Sequence, residues 1–267
     1  MKNWFKNLSM YAKLLLLLGV STFIFFAIDI FTCLDYKAYL PNIVTTLLGT
    51  IVTAVYIQKM LDKRSDNDEK RSEQMSISRA KRTFELYKKK YIIYLNMLID
   101  DGANPNSDWD LLPHDAELKI SRLSKAHEEP LLATESRDGS RIESFYSVEV
   151  ELRECIVNMI ANISFKYYSR ISDLLLRFVE VSIGYNARNG ILNNGIIQYG
   201  SNMTIAQYVT NELANHGDDY LEQFSSGVRK VDIITPYILL FLMIQQEVNI
   251  IRDLQIIFDS VEFDNSL

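Results

Sequence analysis

Histidines, cysteines and closely spaced acids are the residues through which catalysis or metal binding would first show. The chain has three histidines, His114, His127 and His216, and they stand far apart. His127-Glu128-Glu129-Pro130 lacks the second histidine, one turn further on, that completes a zinc-protease helix, and His114-Asp115 alone is too small a set for a metal phosphohydrolase. Surface or capping positions are expected for all three. The two cysteines, Cys33 and Cys155, form no paired motif and no disulfide framework. No phosphate-binding glycine loop or nucleophile elbow is present, and Asn189-Gly190 and Asn194-Gly195 read as turns. No catalytic residue, cofactor or metal is assigned, and the chain is not expected to be an enzyme. An enzyme would need a site assembled from scattered residues.

The pattern that could do something is made of hydroxyls. Thr45, Thr46, Gly49, Thr50 and Thr53, together with Asn42, fall on one broad helical face, because spacings of three and four return to the same side. Thr45, Gly49 and Thr53 also form a ladder of small residues that lets helices approach closely. Such a face suits packing between two spans of one chain, a seam between copies, or the wall of a polar pore in which hydroxyls replace water. Asp29 is the second anomaly, an acid inside an apolar stretch. Facing lipid would be costly, so it is expected to turn toward the interior of an assembly or reach the outer headgroups, with Lys37 or a threonine as partner.

These residues sit in two apolar stretches, residues 14–34 and 39–57, joined through Asp35-Tyr36-Lys37. Each is about 20 residues, the length that crosses a bilayer core as a helix, so the segment reads as a transmembrane hairpin. A secretory signal is a poor alternative, since Thr32-Cys33-Leu34 offers no small-residue cleavage site. Lys2, Lys6 and Lys13 precede the first stretch and Lys59, Lys63 and Arg64 follow the second, so both termini are expected in the cytoplasm; the abundance of Ile, Asn, Lys and Tyr suggests a bacterial source, and with it the inner membrane. The latter three cations are candidates for contact with anionic lipid.

Charge divides along the chain. Residues 59–90 carry eleven Lys and Arg against six Asp and Glu, a net +5; residues 1–58 are +2, and the total of −6 leaves −13 for the remainder. An acidic body argues against broad nucleic-acid binding. After a polar stretch, apolar residues recur at Ile77, Ala80, Phe84, Tyr87, Tyr91, Tyr94 and Leu98, the spacing of an amphipathic helix. A short helix is expected over residues 115–127. Phe145 to Val181 repeats the periodicity and fits one long helix or two broken near Ser169. Residues 196–199 have room for a small hairpin, a short helix over 204–215 is closed by Gly217, and a last helix starts near Pro236 with Thr235 as cap and runs to about Phe263. Its apolar start reads as buried core. The expected fold is therefore mainly α: a transmembrane hairpin (1–58), a polar basic juxtamembrane helix or linker (59–76), and a helical cytoplasmic domain (77–267).

The hairpin, the basic exit Lys59, Lys63 and Arg64, and a helical body without catalytic motifs resemble the two-transmembrane effectors of bacterial anti-phage systems, including retron-associated and abortive-infection proteins. The resemblance is one of layout. It implies a protein that stays silent until infection is sensed and then oligomerises and damages the inner membrane. It further implies that the acidic body is held inactive by a partner such as a reverse transcriptase carrying its DNA. The alternative is a membrane-tethered scaffold or sensor whose body recruits a soluble partner.

Overall fold

One buried residue every second turn builds the central contact of the helical body. Ile77, Phe84, Tyr91 and Leu98 lie seven apart on helix α1 (Leu40–Ile99) and are fully buried, while Ala80, Tyr87 and Tyr94 flank them half-buried. The structure is a computed structural model that describes residues 19–20, 23–24, 27–28, 40–99, 110–129, 139–194, 198–199 and 203–260. It is mainly helical and divides into two compact units, Met1–Arg71 and Ser72–Leu267.

In the first unit, the described residues before α1 are helical, and α1 is exposed along most of its length there. Among the described residues no helix is long and apolar enough to cross a membrane. Of the stretch 14–34 only six residues are described; residue 39 and the side chains of 40–44 also lie outside the described residues.

In the second unit, a 3-10 turn, Ile120–Lys125, replaces the helix expected over 115–127. Helix α2 (Arg141–Asn162) opens with a capping box, the Ser140 N–H donating to Glu143 at 2.6 Å. It stops where Phe165 adopts a positive φ of 52° and the Glu73 carboxylate, from α1, accepts the N–H groups of Lys166 and Tyr167 at 3.1 and 3.0 Å. Those donors are thereby taken out of any helical ladder, and α3 (Ser169–Gly184) begins afresh. Two helices, not one, are the outcome. Helix α4 (Arg188–Asn194) leads to a two-residue antiparallel pair, β1 (Gln198–Tyr199) with β2 (Met203–Thr204).

Helix α5 (Ile205–Ser225) starts on a second capping box, in which Gln207 N–H donates to Thr204 at 3.2 Å and Thr204 N–H to Gln207 at 2.9 Å. It runs straight through Gly217, correcting the expected stop. That glycine lies against the 3-10 turn: a Cβ on it would come within 2.9 Å of Ile120 Cγ2. Glycine here serves close approach, not termination.

Helix α6 (Thr235–Ser260) is the core helix. Thr235 is its first residue, and Asp232 supplies the acceptor for the N–H groups of Ile234 and Thr235 at 3.0 and 3.1 Å, so the cap lies upstream of the one expected. Tyr237, Ile238, Leu240, Phe241, Met243 and Ile244 are buried as the sequence implied. Residues 261–267, including the expected end near Phe263, lie outside the described residues. Phe84 meets Phe258 at 5.8 Å between ring centroids and Tyr91 meets Glu247, so α1 and α6 run antiparallel. At the end of α1, buried Arg141 donates to the carbonyl of Met97 and to Glu129 O, each at 3.3 Å, and pairs with Glu128 at 3.0 Å. A cation there satisfies carbonyls that the helix leaves open.

Candidate functional site

The hydroxyl face falls on the described part of α1. Thr45, Thr46, Gly49, Thr50 and Thr53 are exposed. Thr50 Oγ1 donates to Thr46 O and Thr53 Oγ1 to Gly49 O, each at 2.8 Å. A hydroxyl bonded to its own helix one turn back leaves no unsatisfied donor, so it can lie in an apolar medium at small cost. Nothing lies within 4 Å of a Cβ built at Gly49, which leaves that position open to a close neighbour. Beside this face runs an exposed apolar strip: Leu48 by 51 %, Val52, seven residues on from Thr45, by 66 % and Val55 by 41 %. Hydroxyls and branched aliphatics thus lie on adjoining strips of one helix.

Lys59, Lys63 and Arg64 are exposed on the same helix, where Gln58 Nε2 also donates to Asp62 at 2.7 Å. Asp29 lies outside the described residues.

Within the helical body the structure brings together a set of polar residues that the motif search passed over. Glu247 on α6 is fully buried and Glu149 on α2 is 2 % exposed. The Tyr91 hydroxyl donates to Glu247 Oε2 at 2.7 Å, and Ser182 on α3 donates to Glu149 and accepts from Arg153 Nη1 at 2.9 Å. Burial drives both carboxyls above the usual range. For Glu149 the Ser182 hydrogen bond and the charges of Arg153 and Arg188 work against that rise; for Glu247 the nearby Glu149 adds to it, and the Tyr91 hydrogen bond and Arg153 work against it. Burial likewise raises Tyr91 and Tyr146, and pushes Tyr237 up to about 12. Both acids stand in core register, Glu149 among Phe145, Leu152 and Ile156, and Glu247 among Ile244, Ile251, Leu254 and Phe258. An acid that replaces an apolar residue in a three-four repeat is the signal that would have found them.

The histidines stay apart. His114 and His216 are exposed. His127 is half-buried, its Nε2 2.7 Å from the Tyr237 hydroxyl, and burial lowers its pKa; it is a packing residue, not the surface or capping residue expected. Among the described residues no group of three or more His, Cys, Asp or Glu is placed to hold a metal ion. Cys155 is a buried free thiol whose pKa burial pushes up.

A groove of about 560 Å³ separates α1 from α2, lined by buried Cys155 and Met159, half-buried Ala80 and Tyr87, and exposed Arg79 and Asn158. No protein-family model, no curated protein and no solved structure matches the chain, so its functional reading rests on its own residues.

Proposed function

We propose that the chain is a membrane-anchored effector of a bacterial anti-phage defence system. In this reading its N-terminal hairpin spans the inner membrane, and a partner holds it inactive until infection. Released, copies assemble through the threonine face of α1 and permeabilise or depolarise the membrane. The observation that carries the reading is the helix with adjoining hydroxyl and aliphatic strips. Aliphatic side chains at Leu48, Val52 and Val55 need an apolar neighbour such as lipid. The hydroxyls of Thr50 and Thr53, satisfied by their own helix, tolerate the same medium and offer oxygen toward a shared pore or seam. Exposed Lys59, Lys63 and Arg64 follow at the cytoplasmic headgroups, where each cation contributes about 1 kcal/mol of attraction to anionic lipid.

The test is a combined change of Thr45, Thr46, Thr50 and Thr53 to Leu in the full chain. Growth arrest and depolarisation on induction should both disappear while the amount of chain in the membrane fraction is unchanged. Undiminished toxicity would rule out the pore.

The open groove between α1 and α2 favours a second reading, a membrane-tethered scaffold whose body captures a soluble partner. That version works with any unrelated hairpin in place of residues 1–58, whereas the effector does not.

A further inference from the structure

The buried acids of the helical body are treated differently by their surroundings. Groups reach the cluster from every helix packed about it: Tyr91 from α1, Tyr146, Glu149 and Arg153 from α2, Ser182 from α3, Arg188 from α4, and Tyr237 and Glu247 from α6. Glu149 receives the Ser182 hydroxyl and lies 3.9 Å from Arg153 Nη1. Donor and cation both favour its charged form.

Among the described residues Glu247 has one hydrogen-bond partner. Tyr91 donates to Oε2, while no described group bonds to the buried Oε1 or to the buried hydroxyl of Tyr146. The carboxyl is 0 % exposed and the tyrosine 2 %. A carboxylate held there would have the Tyr91 hydroxyl as its hydrogen bond, full burial against it, and the charge of Glu149 nearby, offset in part by that of Arg153. Two neighbouring buried acids do not both ionise readily, and the one with more donors and cations keeps the charge.

We infer that the packed helical body stores a proton on Glu247 Oε1 and releases it when α6 leaves α1 and α2, so that closure of the body is tied to proton uptake. On opening, the O–H bond breaks, the proton passes to solvent water, and the carboxylate left behind is hydrated. On closing, the reverse occurs. This holds whatever the N-terminal hairpin does, so its failure would leave the effector reading standing.

The direction of the pH effect follows. Glu247 in the packed body binds its proton more tightly than in the open chain, where the ordinary carboxyl range applies. Its contribution to stability is complete below that ordinary range and is lost as pH rises through the packed-state value. His127 acts in the opposite sense around neutral pH, since burial lowers its pKa; a comparison of two chains that both keep His127 cancels it.

The full chain in detergent, wild type beside Glu247→Gln, tests this in two ways. Infrared spectra followed upward from about pH 6, where a free glutamate is already ionised, should show a protonated-carboxyl band in the folded wild type that is absent from Glu247→Gln. No such band in the folded wild type, or a band that survives the substitution, would overturn the assignment. Denaturant unfolding supplies the second measure. The folding equilibrium constant of the wild type should fall relative to Glu247→Gln by up to about tenfold per pH unit, the signature of one proton. Parallel pH profiles would overturn it as well. The infrared measurement on the wild type stands even if the variant fails to fold.

Discussion

Glu73 shows how one side chain decides where a helix ends. Its carboxylate is 7 % exposed and holds the N–H groups of Lys166 and Tyr167, which fixes the turn between α2 and α3 against α1. Hydrogen bonds to a charged acceptor contribute about 1.5–3 kcal/mol each, and donors left buried without an acceptor are costly. Glu73→Ala should therefore lower the unfolding free energy by about 2–3 kcal/mol, with Glu73→Gln, which keeps one acceptor oxygen, losing less. Denaturant titration of the full chain decides it; a loss below about 0.5 kcal/mol would mean water replaces the carboxylate freely. The local sequence left one long helix and two broken near Ser169 equally open, because the group that decides between them lies 93 residues upstream. Glu247 escaped notice for a related reason. Beside Gln245 and Gln246 it reads as part of a polar stretch, and only its register with Ile244 and Ile251 marks it as core.

At the scale of elements, the seven-residue repeat of α1 was legible because burial follows helical phase directly. Ile77, Phe84, Tyr91 and Leu98 are all fully buried. The helix start near Thr204 and the buried start of α6 were legible for similarly local reasons. Gly217 was not. A glycine near the end of a helical pattern is a stop signal by propensity, yet here it admits the 3-10 turn Ile120–Lys125 to close range, a contact set by tertiary packing. Gly217→Ala should cost about 1–3 kcal/mol, since Ile120 Cγ2 at 2.9 Å and Ser121 N at 3.3 Å must move. Gly184→Ala is the control. Nothing lies within 4 Å of a Cβ there, so the gain in helix propensity should leave stability unchanged or raised by up to about 1 kcal/mol. Equal losses at both sites, read by thermal melting, would show that the 3-10 turn yields.

The whole molecule joins two requirements in one chain. The helical body gathers buried apolar residues from α1, α2, α3, α5 and α6 in one cluster. Residues 45–61 of α1 lie outside it, and leave Val52, Tyr56 and Ile57 each more than half exposed. Apolar surface on that scale marks a membrane or a partner helix. The basic run over residues 59–90 and the acidic remainder are written in composition, whereas the polar cluster at Glu149 and Glu247 depends on how five helices meet. The measurement that bears most directly on the proposed function is membrane potential in bacteria during induced expression of the full chain, beside a chain lacking residues 1–58. Rapid depolarisation by the full chain alone is the expected result. An unchanged potential with the full chain accumulated in the inner membrane, or equal depolarisation by the shortened chain, would contradict it.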